Sequence, residues 1–114
     1  MRKPGIDEDN VQMSDVLCDF CHREWTEDLP LVEGHHGSCL CGKCLTVAYT
    51  EVVLNGSDSG PPGYQCAMCL ENRKEAAWSS PAYPEAVVCK RCIKQCAGVL
   101  QKDKDLGWRK PEGG

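Results

Sequence analysis

Four Cys-x-x-Cys pairs govern what this chain can fold into: Cys18/Cys21, Cys41/Cys44, Cys66/Cys69 and Cys89/Cys92. The third pair follows the first by 48 residues, and the fourth follows the second by the same 48. One offset held at eight positions marks an internal duplication of a CxxC-x19-CxxC unit. Other positions agree with it. Phe20 aligns with Met68, Leu40 with Val88, Leu45 with Ile93, Ala48 with Cys96 and Val52 with Leu100, and each pair is apolar in both halves. The last three lie at i, i+3 and i+7, which is one face of a helix.

The cysteines are needed as staples. The chain has 114 residues, and its 41% hydrophobic content counts ten cysteines and only one Phe. So few large apolar side chains make a poor core, and small domains of this kind rely on disulfides or metal. The opening MRKPGIDEDNVQMSD has no apolar stretch of the secretory type, and no run approaches the roughly 18 apolar residues of a membrane span. The expectation is therefore a cytoplasmic protein with reduced thiols, which favours metal over disulfides.

Two residues between cysteines let both thiolates face one ion, with the turn's N–H groups aimed at sulfur. Four thiolates then close a tetrahedral structural site. Each second pair falls at an expected helix start, where the partial positive charge favours anionic sulfur. The reading is one Zn²⁺ held by Cys18, Cys21, Cys41 and Cys44, and a second held by Cys66, Cys69, Cys89 and Cys92. Four thiolates also suit iron. Crossed pairing, in which alternate knuckles share an ion as in RING-like domains, is the competing arrangement. A unit that duplicates whole carries a whole site, which favours sequential pairing.

Two cysteines and three histidines are left over. Cys39 stands two residues before Cys41 and could replace it, but only Cys41 obeys the repeat, so Cys39 reads as a spare loop thiol. Cys96 falls on the apolar helix face and reads as packing. His22, His35 and His36 have Leu70, Tyr83 and Pro84 at +48, so they read as surface or turn residues rather than ligands.

The expected layout is a disordered arm over 1–14, a first unit over 15–56, a linker over 57–63, a second unit over 64–104 and a loose tail over 105–114. Helices are expected at about 42–54 and about 90–103, with Asn55-Gly56 stopping the first and Gly107 the second.

The second unit, CAMC followed by CKRCIKQC, resembles the four-cysteine zinc finger at the N-terminus of the ClpX chaperone family, including the third cysteine at Cys96. The first unit matches the four ligands but carries Ala48 at that third place. The resemblance implies a small metal-bound α+β fold of treble-clef-like units. It also implies dimerisation through this domain, and binding of unfolded substrate segments or adaptor proteins. The family's ATPase is missing, since no GxxxxGK[ST] phosphate loop occurs here. In place of the family's dimer, the two tandem units are expected to pack on each other as an intrachain pseudo-dimer. A homodimer of the whole chain remains compatible with the sequence.

Three function classes follow. The first is a non-catalytic protein-interaction module, for which Trp25, Trp78, Tyr64 and Tyr83 offer aromatic surface, unless, as the plainer reading has it, each fills the scarce core. Trp108, in LGWRKPEGG, reads as a docking segment or a folded-back anchor. The alternative is a nucleic-acid-binding regulatory finger. A net charge of −4, made more negative by thiolates, opposes phosphate. The basic run Lys90, Arg91, Lys94, Lys102, Lys104, Arg109 and Lys110 is diluted by Asp103, Asp105 and Glu112 and reads as a solvated face. An enzyme is not expected. Closed four-cysteine sites leave no open coordination position, and Glu24, Glu27, Asp28 and Glu33 are scattered acids that form no paired constellation.

Overall fold

The computed structural model describes residues 5, 8–10, 16–26, 29–34, 38–103 and 107–111. Two hairpins, each leading straight into a helix, organise them. Strand β1 (Leu31–Glu33) pairs antiparallel with β2 (Cys39–Cys41), placing Val32 opposite Leu40. Helix α1 (Gly42–Ala48) follows without a break. In the second half β3 (Ala77–Ser79) pairs with β4 (Val87–Cys89), placing Trp78 opposite Val88, and α2 (Lys90–Lys102) follows.

Each helix is entered through a cysteine. Cys41 (φ −79°, ψ 160°) and Cys89 (φ −76°, ψ 158°) hold extended backbone at the N-cap. The Cys41 sulfur accepts the N–H of Cys44, as a Ser or Asp oxygen would at an ordinary cap.

The first helix does not run uniformly to residue 54. After Ala48 it widens into a π-helical segment, Tyr49–Leu54, closed by the Asn55 N–H on the Thr50 carbonyl at 3.0 Å. The local sequence explains this. Thr46, Val47, Thr50, Val52 and Val53 are β-branched and weak helix formers. The hydroxyls of Thr46 and Thr50 also donate to the carbonyls of Gly42 and Thr46, four residues back. Gly56, at φ +70°, ends the segment as expected. The second helix is not stopped by Gly107. It ends at Lys102 with Asp103 in extended conformation, and Gly107 (φ +68°) turns the chain toward Trp108 instead.

The halves share one core. Phe20, Leu40, Leu45 and Val52 from the first meet Trp78, Val88, Ile93 and Leu100 from the second in a single buried cluster. The Phe20 and Trp78 rings lie 5.8 Å apart at 30°. Two cross-unit contacts occupy equivalent places. The Ser80 hydroxyl donates to the carbonyl of Phe20, and Gly34 sits so close to the carbonyl of Met68 that an added Cβ would lie 2.7 Å from it. Both are the first residues past the corresponding strands β3 and β1.

The stretch read as a linker is joined to the second unit. Ser59 N–H donates to the Ala77 carbonyl, the Ala77 N–H donates to the Asp58 carboxylate, and the Ser79 N–H donates to the Ser59 hydroxyl. The expected arm 1–14 lies outside the described residues apart from Gly5 and a single 3₁₀ turn at Glu8–Asn10. No helix among the described residues is long and apolar enough to cross a membrane.

Candidate metal centres

The structure gathers two groups of four sulfurs: Cys18, Cys21, Cys41 and Cys44, and Cys66, Cys69, Cys89 and Cys92. Within each group all sulfurs lie within 4.8 Å of one another. The pairing is sequential, one cluster per repeat. Either cluster can hold a metal ion. The donor set is four soft thiolates, and the spacing fits. Tetrahedral bonds of about 2.3 Å put sulfurs about 3.8 Å apart, and Cys21–Cys41 and Cys66–Cys92 are separated by 3.6 and 3.8 Å.

The knuckles are built alike to the level of single hydrogen bonds. Cys18 N–H reaches Arg23 O and Cys66 N–H reaches Glu71 O, both at 3.0 Å. His22 N–H reaches Cys18 O and Leu70 N–H reaches Cys66 O, both at 2.8 Å. His22 and Leu70 carry positive φ, 61° and 62°. That left-handed turn folds the chain back after each CxxC and is uncommon for any residue but Gly. The Cys41 and Cys89 N–H groups then donate across to the sulfurs of Cys18 and Cys66, at 3.3 and 3.4 Å. Phe20 N–H adds a second donor to Cys18. At Cys66 the bond from the Cys89 N–H favours the thiolate form.

Proton placement in the clusters follows from crowding. Four anionic sulfurs this close repel, so without a cation some keep protons and donate them to neighbours. Hydrogen bonds led by that from Cys18 hold Cys41 down at about 4, while Cys44, donating to Cys18, is pushed up. In the second cluster a hydrogen bond with Cys89 holds Cys66 far below the usual thiol range. The hydrogen bond between Cys92 and Cys66 pushes Cys92 up. Arginines approach the half-exposed sulfur of each set: Arg73 Nε is 3.4 Å from Cys69, and Arg23 Nη1 is 3.9 Å from Cys21.

The leftover groups stand outside both clusters. Cys39 is not the loop thiol expected but is buried in β2 opposite Glu33. Burial pushes its thiol up. Cys96 lies on the buried face of α2, and burial pushes it up to about 12. His22 does not face a sulfur cluster; its ring stacks on Tyr83 at 3.6 Å. His35 and His36 lie outside the described residues. Trp78 and Tyr64 are buried and belong to the core, and Tyr64 donates its hydroxyl to the Glu75 carbonyl. Trp25 is half-buried.

Of its two readings, Trp108 takes that of a folded-back anchor. The indole N–H donates to Gly42 O at 3.1 Å and to Thr46 Oγ1 at 3.0 Å, so the C-terminal segment folds back on the first unit's helix. Sequence reasoning had no signal for this seat beyond the Trp itself. Comparison of the chain with protein-family models, with curated proteins and with solved structures returns no match.

Proposed function

We propose that the chain is a non-catalytic, zinc-stapled protein-interaction module. In this reading its two treble-clef-like units pack as an intrachain pseudo-dimer, similar in kind to the ClpX-family zinc finger but without an ATPase. The eight cysteines of the two clusters are its zinc ligands, and it works in a reducing compartment such as the cytoplasm. The observation that carries the reading is the paired cross-unit packing, Ser80 on Phe20 and Gly34 on Met68, around two closed four-sulfur clusters. Clusters with no spare ligand position suit structure rather than catalysis.

That packing leaves two grooves at matching places, each about 320 Å³. One lies between Phe20 and Val47 of the first unit and Trp78 and Pro81 of the second, with Arg23 and Lys43 beside it. The other lies between Met68 and Val99 of the second unit and Val32 of the first. Val47 and Val99 are the exposed large apolar residues among those described, at 44% and 57%. The first groove, apolar with Arg23 and Lys43 beside it, suits an extended, acidic, partly apolar polypeptide segment, whereas the second has Glu33 at its edge.

Native mass spectrometry tests the metal half: the expected species is one chain with two Zn²⁺. Titration with a denatured, carboxymethylated polypeptide tests the binding half. Saturable binding weakened about tenfold by Val47→Asp supports the reading. Tight binding to DNA that collapses with added salt, with no polypeptide binding, overturns it in favour of a nucleic-acid finger.

A further inference from the structure

The seat of Trp108 is built in only one of the two repeats. In the first unit it consists of Leu29 and Pro30 before β1, and Gly42 and Thr46 on α1. The second unit's counterparts follow from matching hydrogen bonds, Gly42 N–H to Pro30 O and Lys90 N–H to Ala76 O. They are Glu75, Ala76, Lys90 and Lys94. Two apolar residues, a glycine and a threonine therefore stand where the other copy carries three charges and an alanine. Each difference suits an indole. An added Cβ on Gly42 would lie 3.1 Å from the ring's Cδ1, so a side chain there closes the notch. The Thr46 hydroxyl donates to Gly42 O and is thereby oriented to accept from the indole N–H. A ring without an N–H makes neither of these bonds.

Beyond the indole the described tail residues are Arg109, Lys110 and Pro111. They line an open cleft of about 870 Å³ beside Tyr49 and Asp103, and the Lys110 N–H donates to the Gln101 side chain at 3.1 Å. The indole itself is half-exposed.

We infer that the Pro30–Gly42–Thr46 notch is an indole receptor, filled in cis by this chain's own Trp108 and able to take the same tail segment from a second copy when its own is withdrawn. The tail is thus both a cap over the site and the ligand the site presents for. This goes beyond the interaction surface proposed above, since it uses a separate notch, sharing only Lys43 with the first groove, and holds whichever ion the clusters carry.

The test uses the full-length, zinc-loaded chain with Trp108→Ala, isotopically labelled and titrated with an unlabelled peptide of residues 104–114. The amides of Gly42 and Thr46 should shift saturably, with half-saturation below about 0.1 mM. Wild-type chain should respond at least tenfold more weakly, because a tethered tail competes at an effective concentration in the millimolar range. A peptide with Phe at position 108 should also lose at least tenfold. Gly42→Lys in the Trp108→Ala background should abolish the response while still folding, since Lys90 occupies the same place in the sister helix. If Trp108→Ala fails to retain two metal ions, Trp108→Phe serves as receptor under the same criteria. No response in a folded, metal-loaded receptor, an equal response in wild type, or an equal response to the Phe peptide overturns the inference.

Discussion

Ser80, 2% exposed, donates its hydroxyl proton to the main-chain carbonyl of Phe20, 60 positions earlier in the chain. This hydrogen bond joins the hairpin end of one repeat to the knuckle of the other. Its sister place is held by Gly34 against Met68, where no side chain fits. Ser80→Ala leaves the Phe20 carbonyl buried and unmet, and should lower stability by about 1–3 kcal/mol. Gly34→Ala should lower it by a similar ~1–3 kcal/mol through overpacking. Denaturant unfolding of the zinc-loaded proteins reads both. If each variant keeps wild-type stability, the units do not meet through these residues.

Metal content separates the ligand sulfurs from the spare ones. Cys66→Ser should release one ion and unfold the second unit. Since the core is shared, the first unit should become easier to strip with chelator. Cys39→Ser should leave two ions, because Cys39, though on the same strand as Cys41, is not one of the four gathered sulfurs. Cobalt reconstitution followed by thiolate-to-metal absorption counts the sites. Loss of an ion from Cys39→Ser would exchange Cys39 for Cys41 as a ligand.

Alkaline pH should expose the role of Cys96. Burial raises its folded-state value to about 12, from an ordinary thiol value of 9.0. A raised value means that the fold favours the protonated thiol. That contribution is complete below pH 9 and is lost as pH climbs from 9 toward 12, where the unfolded chain releases a proton the folded chain retains. Cys96→Val keeps the bulk and removes the proton, so its stability should fall less steeply over that window than the wild type's. Parallel curves would mean that the thiol is not buried in solution.

Leu70 carries φ 62° in the second knuckle, a conformation that disfavours side chains with a Cβ. Leu70→Gly should be neutral or raise stability by up to about 1 kcal/mol, the relief of strain offsetting the added freedom of the unfolded chain. Leu70→Val should lower it, since β-branching worsens the clash. Thermal melts of the metal-loaded variants check the order.

The clusters and both helix positions were legible because knuckle spacing and helix periodicity are local constraints. The hairpins were legible only in part. Ten positions separate Cys21 from Leu31 but eight separate Cys69 from Ala77, and the loops that follow differ by two residues the other way. The uniform 48-residue register therefore pairs Trp78 with Pro30. The true partner is Val32, so the register by itself did not mark Trp78 as core, although core was one of its two readings. The π-helical widening after Ala48 depends on competing hydroxyl bonds that a periodicity cannot display. The Trp108 seat depends on a residue distant in the chain and on the absence of a side chain at Gly42.

The docking of Asp58 and Ser59 along β3 decides where the molecule can be divided. A fragment begun at Tyr64 would strip the outer margin of that hairpin and leave the amides of Ala77 and Ser79 bare, ready to recruit a stranger's backbone. The natural seam lies upstream, at Asn55-Gly56, and a half-molecule excised there keeps its selvedge intact.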